Sequence, residues 1–292
     1  MNISEILKQG ILNGVCTDLS AFINTQKFLD NLKYLRDSGV NAVSAGFQSP
    51  NPTHEYYKKS RSQDRTKLTL CSDSAITPNG EVALNSPFLS NLELIITTAK
   101  ALELAVLVNI LDASCEHIFT DEFAVVTGIF NAMDWLISKQ FTNIIVNITN
   151  ISHIFYKNLI LNGEKFINIF ESVKKNIGDK LIIGAGLKSF ADVSESALAT
   201  YIKSSDFIPL YSVNYKTHNT KKMLENIQYF KSRTNIPIVM AKGDDLSDKY
   251  NSYGKNNMME ARENGISWFY YKLEKLSVIP IDWEFLRYVN VQ

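Results

Sequence analysis

The sequence predicts an α/β protein, a single (β/α)8 TIM barrel spanning residues 1–292, and three observations predict it. Short apolar runs recur at helix-length intervals: Ile11–Thr17, Val40–Gly46, Leu104–Ile110, Asn143–Thr149, Lys180–Ala185, Asp206–Ser212, Ile236–Ala241 and Gly265–Tyr271. The segments between them have helical periodicity, which makes the repeating unit strand, helix, strand, as in a parallel sheet. The length of 292 residues suits one such barrel. An open, doubly wound sheet would share the alternation, but no GxGxxG follows the first run. The Gly184-Ala185-Gly186 turn comes too late and is too short to cradle a dinucleotide.

Each element has its own signals. Ile3, Ile6 and Leu7 are spaced for a short helix closing the barrel floor. After the first strand, Asp18 and Asn24-Thr25 offer N-caps, Phe28, Leu32 and Leu35 recur on one helical face, and Ser38-Gly39 stops the helix. Residues 47–87 form the longest stretch without periodicity, with Pro50, Pro52, Pro78 and Pro87; this reads as a long loop after the second strand, a lid or cleft wall, with Leu68–Cys71 as a small extra strand. Leu89, Leu92, Ile96 and Ala99 then share a helical face leading into the third strand. Helices over Val125–Lys139, Lys165–Asn176, Val193–Lys203, Lys221–Arg233 and Asn256–Asn264 precede the fourth to eighth strands, and Trp283–Val289 is the expected closing helix.

Composition narrows the function. Lys plus Arg and Asp plus Glu both total 30, so the chain lacks the positive excess of a nucleic-acid binder. No apolar stretch reaches the ~20 residues needed to cross a membrane. The N-terminus lacks the basic start and hydrophobic core of a secretory signal, which makes a cytoplasmic location the default, with a secreted mature form as the other option. Cys16, Cys71 and Cys115 are odd in number and unrelated in spacing, against a disulfide framework or a zinc cluster.

In a barrel, chemistry is built where strands run out into loops. All four histidines, His54, His117, His153 and His218, fall in segments that follow strands. None has the i, i+4 spacing of a helical metal pair, so no metal is expected, and no motif calls for a cofactor. Asp112, Glu116, Asp121 and Glu122 follow the third strand; Asp244, Asp245 and Asp248 follow the seventh. Tyr211, Tyr215, Trp268, Tyr270 and Tyr271 offer flat rings near the sixth and eighth strand ends, where rings stack on sugars. Trp268 and Tyr270 share a parity, and Trp268 is read as the cleft-facing one. Lys242 ends the seventh strand, which suits either a rim salt bridge or the amine of a Schiff-base lyase or aldolase.

Several segments resemble the cellulase-like glycoside hydrolases (family 5, clan A type). Asn31–Val43 resembles that family's first helix and second strand, Ala99–Asn109 the helix leading into the third strand, Ile236–Ala241 the seventh strand, and Gly265-Ile266-Ser267-Trp268 the eighth with its substrate-stacking Trp. The resemblance implies a retaining hydrolase whose acid/base Glu follows an Asn at the end of the fourth strand and whose nucleophilic Glu ends the seventh. This chain keeps Asn150 but has Ile151 at the acid position and Lys242 at the nucleophile position, and Ser44 replaces an Arg on the second strand. Retaining hydrolysis needs two carboxyls ~5–5.5 Å apart. Ile transfers no proton, and Lys is a cation beside a cationic transition state. The expectation is therefore a barrel that has lost ordinary hydrolysis and binds carbohydrate or a partner through Asn150, Tyr211, Tyr215, Trp268 and His117. The alternative is an active hydrolase with relocated acids, Asp244 or Asp245 working with Glu116, Asp112 or His153.

Overall fold

A computed structural model describes residues 3–9, 12–16, 25–37, 39–48, 74–112, 115, 118–150, 159–161, 163–187, 193–211, 220–242 and 260–271. The elements run α1 (Ile3–Lys8), β1 (Asn13–Cys16), α2 (Thr25–Asp37), β2 (Ala42–Gly46), α3 (Pro87–Ala101), β3 (Ala105–Asp112), α4 (Glu122–Ser138), β4 (Ile144–Asn150), α5 (Gly163–Ile177), β5 (Ile183–Gly184), α6 (Glu195–Ser204), β6 (Ile208–Tyr211), α7 (Thr220–Lys231), β7 (Ile238–Lys242) and β8 (Ser267–Tyr271). A helix also ends over 260–263. The expected minor strand Leu68–Cys71 and closing helix Trp283–Val289 lie outside the described residues.

All eight strands are in one sheet, in the order β5-β4-β3-β2-β1-β8-β7-β6, and every pairing is parallel. Because side chains alternate along a strand, each strand feeds two apolar layers. The interior layer gathers Ala42, Ala105, Leu107, Ile145, Phe207, Val239, Ala241 and Phe269, and α1 plugs its floor with Ile3 and Leu7, as the short N-terminal helix was expected to do. The outer layer sets Val43, Val106, Val108, Val146, Ile148, Ile208 and Met240 against helix residues such as Leu32, Leu92, Ile129, Phe170, Leu198 and Phe230. Gly14 makes the interior fit: a Cβ there would stand 2.4 Å from the Phe269 ring.

Helix starts follow their caps. Ser86 Oγ accepts from Phe88 N at 3.2 Å, with Pro87 opening α3; Asp121 Oδ1 accepts from Ala124 N at 2.8 Å at α4; Ser194 Oγ accepts from Ala197 N at 3.3 Å at α6. Gly39, at φ 86°, closes α2 as its position suggested, and Val40 N returns to Leu35 O at 3.1 Å.

The described end of the 47–87 stretch is a bridged turn. Ile76 and Val82 pair antiparallel around a turn at Gly80, whose carbonyl accepts from Asn131 Nδ2 at 2.8 Å, while Thr120 N donates to Pro78 O at 3.0 Å. The turn is thereby seated on α4. Cys115 is buried and disulfide-bonded, which corrects the expectation drawn from three unevenly spaced cysteines: spacing along the chain does not report which loops the barrel brings together.

Candidate functional site

The barrel interior turns from apolar to polar as the strands approach the mouth. Above Ala42, Ala105, Leu107 and Ile145, the inward positions are Ser44 on β2, Asn109 on β3, and Asn147 and Thr149 on β4, all buried. Buried amides and hydroxyls are tolerated only when paired, and these are linked in a chain. Asn109 Nδ2 donates to Ser44 Oγ at 3.2 Å, Asn147 Nδ2 donates to Asn109 Oδ1 at 2.8 Å and to the Tyr211 hydroxyl at 2.5 Å, and that hydroxyl donates to Thr149 O at 3.0 Å. Thr149 Oγ1 continues to Gly186 O at 2.7 Å, so the chain crosses from β2 to β6. Asn147 Oδ1 has no hydrogen-bond partner among the described residues.

At the rim, Gln48 Oε1 accepts from the backbone N of Asp112 at 2.9 Å, holding the end of β3 to the segment after β2. Asp112 ends β3 and is 4% exposed; by alternation it shares the side of Val106, Val108 and Ile110 and not that of Asn109. It pairs in register with Asn150, the last residue of β4. Tyr211 pairs in register with Lys242, the last residue of β7, across an irregularity that skips Ala241. Asn150, the residue before the acid/base position at Ile151, thus ends β4, and Lys242, at the nucleophile position, ends β7.

Of the residues expected at the site, Tyr211, Asp112 and Trp268 are described in full. The backbones of Asn150 and Lys242 end β4 and β7. Ile151, His153, Tyr215, Glu116, His117, Asp244 and Asp245 lie outside the described residues, as do His54 and His218. Trp268 is a correction. It is 1% exposed and belongs to the layer between strands and helices, beside Met240, its register partner; Ser267 and Phe269 take the inward positions of β8. Parity places Trp268 and Tyr270 on one side but does not say which side, and Phe269 fitting the space left by Gly14 decides it.

The polar interior itself was not anticipated. Its trace in the sequence is a lone amide at the same depth of two adjacent strands, Val108-Asn109-Ile110 and Val146-Asn147-Ile148, interrupting runs that are otherwise apolar. Among the described residues no group of His, Cys, Asp and Glu is arranged to hold a metal ion, and no helix there is long and apolar enough to cross a membrane.

No family model matches the chain, and no curated protein does. Solved structures do. An endo-1,4-beta-mannanase from Rhizomucor miehei superposes with a TM-score of 0.62 at 8% identity, over 93% of this chain and 88% of the mannanase. A broad-specificity endoglucanase from Clostridium acetobutylicum gives 0.59 at 12% identity, over 93% and 90%. A beta-mannanase of Thermomonospora fusca, solved with mannohexaose, gives 0.58 at 8%, over 90% and 78%. The chain therefore has the cellulase-like (β/α)8 fold and is a glycoside-hydrolase-like barrel in architecture.

Proposed function

We propose that this protein binds carbohydrate, or a partner, at the mouth of the barrel and does not perform retaining glycoside hydrolysis. The observation that supports the reading is the chemistry at the two decisive strand ends: β4 ends in Asn150, followed by Ile151, and β7 ends in Lys242. Neither end supplies a carboxyl, and double displacement needs both. The inward groups near the mouth, Ser44, Asn109, Asn147, Thr149 and Tyr211, are amides and hydroxyls, suited to hydroxyl-rich ligands but not to proton transfer at neutral pH. By analogy with the mannohexaose-bound neighbour, β-1,4-linked mannan and glucan fragments are the first ligands to try.

The second reading is a hydrolase with relocated acids, Asp244 or Asp245 acting with Glu116, Asp112 or His153, the carboxylates and histidine that follow the third, fourth and seventh strands. One experiment separates them. Sugar release and direct binding are measured on the same panel of oligosaccharides. Binding without release supports the proposal; release that disappears in Asp244→Asn or Asp112→Asn replaces it with the hydrolase. Reductive trapping of Lys242 with borohydride and a carbonyl substrate would instead assign lyase or aldolase chemistry.

A further inference from the structure

We infer that the ring of strands is closed between β5 and β6 by side chains in place of a backbone ladder, and that this seam is where the barrel opens first. The inference concerns the scaffold and holds whether or not a sugar binds.

β5 is two residues long and pairs with β4, and β6 pairs with β7; no ladder joins β5 to β6. One backbone hydrogen bond crosses the seam among the described residues, Asp206 N to Ile183 O at 2.9 Å. At the floor the missing partner is a carboxylate. Asp206 Oδ2 accepts from Ile183 N at 2.8 Å, doing what a strand carbonyl would do, and Lys174 Nζ on α5 fixes that carboxylate at 2.8 and 2.9 Å. Beside this clasp lies a solvent-open pocket of about 420 Å³, bordered by Leu7, Lys8, Asp179, Leu181 and Pro237, so solvent reaches the foot of the seam.

Toward the mouth the closure is aromatic. The inward positions of β5 and its extension are Gly184 and Gly186, and neighbouring aromatics of the β6 segment fill the space that a side chain would need. A Cβ on Gly184 would lie 2.6 Å from Phe207 O and 3.0 Å from its ring; one on Gly186 would lie 2.7 Å from the Tyr211 ring. Tyr211 thus reaches over β5 to β4, where its hydroxyl takes the Asn147 amide and gives to Thr149 O. β6 is latched to β4 across a strand too short to pair with both neighbours. By contrast β3 has a ladder on both sides, with β2 over Ala105–Asn109 and with β4 from Val106 to Asp112. Regions with few cross-strand backbone bonds open at lower free energy than fully laddered ones.

Hydrogen exchange on the full chain tests this. In the wild type, the amides of Ile183–Ala185, Ile208, Leu210 and Tyr211 are expected to exchange at least ~tenfold faster than those of Val106–Ile110, a ratio equivalent to one lost hydrogen bond. Tyr211→Phe keeps the ring and removes the latch, and is expected to accelerate the seam amides further by roughly tenfold while β3 stays unchanged. Asp206→Asn should act likewise at Ile183. Seam amides as slow as β3 in the wild type would overturn the inference, and so would a Tyr211→Phe variant in which every strand accelerates equally or the seam not at all.

Discussion

Tyr201 on α6 is fully buried, and its hydroxyl donates to Ala185 O at 2.7 Å, beyond the end of β5. Desolvation pushes this phenol well above its ordinary value of 10.0, with a hydrogen bond to Ser205 opposing the shift only in part. The folded state therefore keeps a proton that the unfolded chain releases above about pH 10. The resulting stabilisation is complete below that pH and declines as pH rises, by up to about 1.4 kcal/mol per pH unit. Urea denaturation between about pH 9 and pH 11 should show this fall, and Tyr201→Phe should make it shallower. An identical slope in both proteins would mean that Tyr201 ionises freely in the fold. The same scale explains why Asn147 is tolerated at full burial: its amide nitrogen serves two acceptors at once, and only its oxygen is left over.

Elements were legible where a run had one dominant period. The β3 and β4 runs are continuous because both faces are buried, and the helices around them begin at caps within a few residues of where periodicity placed them. β5 was legible only as a position. Lys180–Ala185 contributes two strand residues, since Gly184 and Gly186 yield their inward space to Phe207 and Tyr211 and Asp206 replaces a ladder partner. No local propensity encodes a side chain arriving from the next strand. The site was legible as a rim but not as an interior: strand ends drew attention to Tyr211 and Asp112, whereas Asn109 and Asn147 look like single defects until register puts them side by side. The bridged turn over 74–86 illustrates how an element depends on one residue. Gly80 sits at φ 83°, and a Cβ there would meet Ala124 O at 2.3 Å, so Gly80→Ala combines backbone strain with a backbone collision. Gly163, at φ 60°, has nothing within 4 Å of such a Cβ. Gly163→Ala should cost only the left-handed penalty, about 1–2 kcal/mol, and Gly80→Ala clearly more, with overpacking adding roughly 1–3 kcal/mol. Equal losses of melting stability would show that the hairpin is not pinned to α4.

For the whole molecule, the cysteines bear on redox conditions. Cys115 lies just past β3, three residues beyond the buried Asp112, and it is disulfide-bonded. The chain has three cysteines, so pairing within one molecule leaves a single thiol. Disulfides persist under oxidising conditions and are lost where glutathione keeps thiols reduced, so the bond is to be kept oxidised while the barrel is studied. Cys115 is also the sequence neighbour of Glu116 and His117, both candidates for ligand contact. Thiol labelling of the denatured, non-reduced chain should modify one cysteine, and labelling after reduction should modify three. Three reactive thiols before reduction would show that Cys115 is unpaired. With one, glycan binding should be measured under oxidising conditions, and loss of affinity on reduction alone would tie the β3 loop to the ligand.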